Sequence, residues 1–159
     1  MAGKKTGPNP TDRAKSGVKR SILTDANGIP LSVAIAGANR HDMKLAKPTF
    51  ENIKAKRPKP TKKKKQNVCL DKGYDFNEVR DLVEEFGFTA HIRSRGEEAK
   101  QIKKTARTKA RRWVVERTHS WMNKFRGLLI RWTKRDDTYI ALLHLVCGII
   151  TWRSNGQLG

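Results

Sequence analysis

Acid is scarce in this sequence relative to base. Fifteen Asp and Glu stand against 35 Lys and Arg, for a net charge of +20. An imbalance of that size points to a polyanionic partner, nucleic acid first. The plainer alternative is a heavily charged, soluble surface. Cysteine is scarce as well: Cys69 and Cys147 are the only two. Their apolar surroundings and wide separation exclude a zinc site and a disulfide framework, so both are expected to be reduced core residues of an intracellular protein. No glycine-rich nucleotide loop is present. The longest apolar run, YIALLHLVCGII at 139–150, is too short to cross a bilayer and contains His144; it is expected to be a buried core helix. The opening MAGKKTGPNPTDRAKSG is polar throughout, which excludes a secretory signal.

What is there reads as one α/β domain. Residues 1–17 form a basic arm rich in Gly, Pro, Lys and Thr. VKRSILTD (18–25) and PLSVAIAG (30–37) are β-prone and flank Asn27–Gly28, a hairpin signal. Asp42 is placed to cap a short helical turn, and Pro48 is expected to break it and start a second helix. KAKRPKPTKKKKQN (54–67) is a Lys/Pro loop. NVCLD (67–71) predicts a strand, and its unbroken apolar run suits a strand covered on both faces. Asp75 and Glu78 resemble a capping box for a helix over 76–86, closed by Gly87. FTAHI (88–92) is a short strand, and residues 93–106 are a charged loop. A long helix over roughly 107–125 follows, with Val114, Thr118, Trp121, Phe125 and Leu128 on its core face, and an apolar helix fills about 137–152. Strands alternating with helices imply a layered α/β sheet flanked by helices.

Two acids stand out. Asp71 ends a strand, with Gly73 allowing a tight exit, and sites in open α/β sheets form at the carboxyl ends of strands. Glu116 lies in the long helix on a polar stripe with Arg112, His119, Ser120 and Asn123, opposite the aromatic stripe. One reading of Glu116 is a helix salt bridge with Arg112. The other is a metal ligand facing nucleic acid: two hard carboxylates hold Mg²⁺ while neighbouring Arg and Lys hold phosphates.

The segments NRHD, LDKGYD and RRWVVERTHSWMNKFRGL, followed by an apolar C-terminal helix, resemble the DDE transposases of bacterial insertion sequences over nearly the whole chain. The resemblance implies a ribonuclease-H-like mixed sheet over residues 18–153, with its first strand missing or incomplete. It makes Asp71 the second acid of a catalytic triad and Glu116 the third, both ligating Mg²⁺ or Mn²⁺. The family's first catalytic Asp lies on a strand upstream of GPNPTD, so this chain corresponds to the C-terminal part of such an enzyme. Asp12 and Asp25 are poor substitutes. Arg112 matches the family's helix signature, whereas Lys109 and Asn123 stand where a Tyr and a Lys are usual. The implied activity is metal-dependent hydrolysis at the element's ends followed by strand transfer. The implied partners are double-stranded transposon-end and target DNA, with a second subunit or a partner transposase half. The implied location is cytoplasmic, on the nucleoid.

Lys72 and Tyr74 flank Asp71 and are candidates to touch DNA, although Tyr74 also fits a packed sheet edge. Arg93, Arg95, Arg112, Arg117, His119, Asn123 and Lys124 are further candidates for the DNA backbone. His41–Asp42 reads either as a pair beside the metals or as a surface His with a helix cap. Lys62–Lys65 add sequence-independent affinity. Trp113, Trp132 and Trp152 are expected in the core or an interface. Two rival functions remain: a catalytically inactive remnant that binds DNA or a full-length transposase, and an unrelated basic RNA-binding protein, which would keep Asp71 and Glu116 apart.

Overall fold

The structure is a computed structural model and describes residues 5–11, 13, 15–92 and 113–156. Its described strands form two sheets. In the first, β1 (Gly7–Pro8) pairs with the start of β2 (Ser16–Thr24), which pairs antiparallel with β3 (Pro30–Gly37). Residues 7–8 of the basic arm are thus strand rather than loop. The β2–β3 turn is built as Asn-Gly demands. Gly28 takes φ +84°, and the Asp25 carboxylate accepts from the Asn27 and Ile29 N–H groups, both at 2.8 Å.

Helix α1 (Met43–Glu51) follows as one piece, with Pro48 inside it. The expected break is absent because buried polar contacts clamp this turn to the hairpin. Thr49 Oγ1 lies 2.6 Å from the Leu45 carbonyl and 2.8 Å from Ser21 Oγ, and Ser32 donates to the Thr49 carbonyl at 2.7 Å. Asp42 sits at the N-cap but makes no side-chain cap bond. It is drawn instead to Lys19, at 3.0 Å.

The second sheet is a parallel pair, β4 (Asn67–Leu70) beside β5 (Thr89–Ile92). A 3₁₀ turn at Lys72–Tyr74 and helix α2 (Asn77–Glu85) connect them. Phe76, not Asp75, is the N-cap of α2, and Asp75 pairs with Arg80 at 2.6 Å. Gly87 closes the helix at φ +76°, its N–H reaching the Glu84 carbonyl at 2.8 Å while Phe88 N–H reaches Val83 at 3.0 Å. Contrary to the two-sided expectation, β4 is covered on one face. Val68 is buried, whereas Asn67 and Cys69 are exposed. Cys69 is therefore not a core residue.

The chain continues with α3 (Trp113–Asn123), α4 (Arg126–Leu129) and α5 (Asp136–Ser154). Val114, Thr118 and Leu128 are buried as their spacing predicts, and Met122 joins them, whereas Trp121 and Phe125 are half-buried. Two apolar clusters hold the molecule together. One joins Ile22, Val33 and Ile35 of the hairpin to Met122, Leu128, Tyr139, Leu143, Val146 and Ile150. The other joins Ala46 and Phe50 of α1 to Val68, Val79 and Val83, with Leu23, Leu70 and Tyr74 packed against it. Trp113, Trp132 and Trp152 are exposed at 49 %, 74 % and 55 % and are not core residues. Among the described residues no helix is long and apolar enough to cross a membrane.

Candidate functional site

Asp71 follows the last residue of β4 in extended conformation and caps the 3₁₀ turn, its Oδ1 accepting from Lys72 N–H at 2.8 Å. The strand-end position expected from sequence is thus realised, and the residue is exposed. A recess of about 350 Å³ opens beside it, lined by His41, Asp71, Lys72, Gly73 and Phe76. Gly73 sits in close packing: a Cβ there would lie 3.2 Å from Asp42 Oδ2, tight enough that the carboxylate would have to shift slightly.

The recess wall is fixed on one side by His41. Its ring meets Phe76 edge-on, with centroids 5.4 Å apart and planes at 81°. Its Nδ1 accepts from Met43 N–H at 3.3 Å. Lys72 lines the floor, and its Nζ is shielded from solvent without a hydrogen-bond partner. Tyr74 turns away from the recess into the protein. Its hydroxyl lies 3.4 Å from Ser21 Oγ. Burial raises its pKa, opposed by the Ser21 bond and reinforced by the charges of Asp42 and Asp71.

Glu116 is exposed on α3. His119 is half-buried, and burial first, then the Arg20 charge, lowers its pKa. Asn123 accepts from Arg20 Nη2 at 2.7 Å. Lys124 is exposed. Arg117 is engaged within the chain: it lies over the Trp113 and Trp121 rings, at 4.7 and 4.9 Å, and donates to the Asn27 carbonyl at 2.5 Å. With Thr118, which donates to the Gly28 carbonyl at 2.7 Å, it fastens α3 to the hairpin turn.

The predicted residues therefore fall into two groups. Asp71, Lys72 and Tyr74 cluster at the end of β4. Glu116, Arg117, His119 and Asn123 share α3, and Lys124 follows its last residue. Arg93, Arg95 and Arg112 lie outside the described residues, as do Asp12, Lys109 and the expected start of the α3 helix. Arg20 was not anticipated, yet it left a signal: it alternates with Val18 and Ile22, placing a charge on the apolar face of its strand. Carboxylate oxygens at Asp71 and Glu116 are the hard donors that Mg²⁺ or Mn²⁺ takes. Among the described residues, however, no group of three His, Cys, Asp or Glu is assembled around a common point.

Comparison with known proteins bears on this arrangement. A family profile described as "Transposase DDE domain" matches residues 2–151. The chain is 40% identical over 154 residues to the "Putative transposase for insertion sequence element IS402" of Burkholderia cepacia, covering 94% of this chain and 70% of that protein. No solved structure matches. With the match running through the β2–β3 hairpin, the Asp71 strand end and the Glu116 helix alike, the chain belongs to the DDE transposase family.

Proposed function

We propose that this domain serves the cutting and joining of insertion-sequence DNA, with Asp71 and Glu116 as two of its catalytic acids. The carrying observation is Asp71 itself: an exposed carboxylate at a strand's carboxyl end, beside an open recess, in a chain with net charge +20. Asp71 and Glu116 would hold Mg²⁺ or Mn²⁺, which would supply activation of the attacking oxygen and stabilisation of the leaving one. The chain's own cations would do the rest. Lys72, Lys124, Arg93, Arg95 and Arg112 hold the DNA backbone, and His119 and Asn123 border its path, while Tyr74, turned inward against Ser21, supports the strand end from behind. Arg117 contributes by fixing α3 against the hairpin. The partners are the transposon ends, the target duplex, and a second subunit or partner transposase half.

A ribonuclease-H-like core is the fold we infer. Leu23 of β2 and Leu70 of β4 pack against one cluster, and one further strand between β2 and β4 would join both sheets into a single mixed one. That strand is also where a first acid belongs. The second reading, DNA binding without catalysis, is favoured by the absence of a three-acid group among the described residues. Nicking of an element-end duplex in Mg²⁺ or Mn²⁺ separates the two. Metal-dependent cleavage lost in Asp71→Asn and in Glu116→Gln supports catalysis. Tight binding with no cleavage under any metal supports the binding-only reading.

A further inference from the structure

We infer that the outer face of α5 is a docking surface for a second copy of this chain, the two helices lying antiparallel about a two-fold axis. The inference stands apart from the DNA reading, since no nucleic acid takes part in the contact.

Four residues carry it. Ala141, Leu145, Gly148 and Trp152 recur at steps of four, three and four, so they form one line along the helix. That line is opposite the buried line of Tyr139, Leu143, Val146 and Ile150. All four are exposed, Leu145 at 61 % and Trp152 at 55 %. A contiguous exposed apolar surface marks a place of contact.

Gly148 shows that the contact is not made within the chain. A glycine in the middle of a helix destabilises it relative to alanine. A Cβ added here would meet no atom within 4 Å, so the chain's own packing does not require this residue to be small. A neighbour that comes close to the backbone does.

The pattern identifies that neighbour. Along the line the residues run small, large, small, large. Laid against its own reverse, the line pairs Ala141 with Trp152 and Leu145 with Gly148, so every large side chain meets a small one. Antiparallel packing also opposes the helix dipoles. Charge agrees. The chain is 31 % charged with net +20, so two copies repel over most of their surface. Residues 138–152 contain no Asp, Glu, Lys or Arg, and exposed His144 stands at the edge of the line. Here two copies can meet without that repulsion.

The test is sedimentation of the full chain without DNA, from about 5 to 500 µM at about 0.5 M salt, where screening confines charge repulsion to a few ångströms. The mean mass should rise from that of one chain, 18.1 kDa, toward twice that value. Half-conversion is expected at roughly 10–100 µM, because one helix face per copy buries less than the roughly 1,200 Å² of a stable pair. Lowering the salt to about 0.1 M should weaken the pairing, the reverse of its effect on duplex binding. Leu145→Lys and Gly148→Lys should each weaken it at least about tenfold, because each buries an unpaired charge against an apolar neighbour. Thr89→Lys, which adds the same charge at an exposed residue of β5, should leave it unchanged. Gly148→Lys should melt no lower than wild type when both are dilute, because lysine favours a helix more than glycine does; it stands in if Leu145→Lys unfolds. In a Cys69→Ser background, mild oxidation of mixed Ala141→Cys and Trp152→Cys chains should give a disulfide-linked pair. Neither variant should do so alone, since like positions lie about 16 Å apart along antiparallel axes. A chain that keeps the mass of a single copy across the whole range overturns the inference and leaves the face to a partner of different composition. Self-association untouched by Gly148→Lys overturns it too, as does cross-linking of either cysteine variant with itself, which means parallel helices.

Discussion

The two halves of this molecule are built to different standards. Among the described residues, the apolar cluster of the half made of β2, β3, α3, α4 and α5 joins nine buried side chains, four of them on the long α5 helix. That of the half made of α1, α2, β4 and β5 joins five, and its parallel pair of strands is covered on one face. Asp71 and its recess belong to the lighter half, and Glu116 to the heavier. The chemistry proposed here therefore needs one acid from a firm scaffold and one from a strand end that depends on α1 and α2 for support. Functional groups commonly sit where local stability is lower.

The contrast is broken most forcefully at Phe50. It is 2 % exposed and touches the Phe86 and Phe88 rings, each at 5.6 Å between centroids. Phe50→Ala should cost about 3–5 kcal/mol. If the halves are as unequal as their cores, denaturant unfolding followed by both far-ultraviolet circular dichroism and Trp fluorescence should show the two signals separating. Retained coincidence would mean one cooperative unit.

A smaller effect is expected at the hinge between α3 and the hairpin. Thr118 is fully buried and donates to the Gly28 carbonyl. Thr118→Val keeps the shape and removes the donor, for a loss of about 1–2 kcal/mol seen as a lower denaturation midpoint with unchanged slope. Duplex binding by Lys72 should be unaffected, since that residue is anchored in the other half.

Much of the scaffold was legible in the sequence, for local reasons. Asn27–Gly28 and Gly87 announce left-handed backbone that few other residues accept, and both marked their elements correctly. Val114, Thr118 and Leu128 fell on the core face because helical periodicity is a local property. The acid at 71 was legible because a carboxylate ending an apolar run is itself a local pattern. What failed was whatever depends on a distant partner. Asp42 could not be told from a helix cap without Lys19 on another strand. Pro48 was read as a break because the Ser21–Thr49–Ser32 contacts that hold its turn come from β2 and β3. For Trp113, Trp132 and Trp152 only the core half of the expectation fails, because hydrophobicity alone does not say which face a neighbour in the same chain will cover. For Arg117, too, the sequence could not show the two indole rings and the Asn27 carbonyl that engage it in the folded chain.

Two finer predictions sharpen the comparison. The pKa of His119 is lowered in the folded state, so the unfolded chain binds more protons below about pH 6.5. Stability contributed by this residue is present above that pH and is lost as pH falls. His119→Asn should therefore show a shallower fall in denaturation midpoint between pH 7.5 and 5.5 than the wild type, and an equal fall would mean that His119 titrates normally. The smallest expected effect is chemical. Burial pushes the Cys147 thiol up to about 11, whereas Cys69 is exposed. At pH 8 iodoacetamide should alkylate Cys69 first, and Cys147 only after denaturant is added, as read by peptide mass.

The parallel pair β4–β5 has a consequence for how such a protein would respond to its ligands. Two short strands clad on one side are poorly suited to hold a fixed geometry by themselves. Whatever docks at Asp71 would then act as mortar as well as cargo, tightening the very ledge on which it rests. Titrating duplex into the protein should slow amide exchange at Leu70 and Ile92 more than at Leu143, because α5 has little slack left to remove.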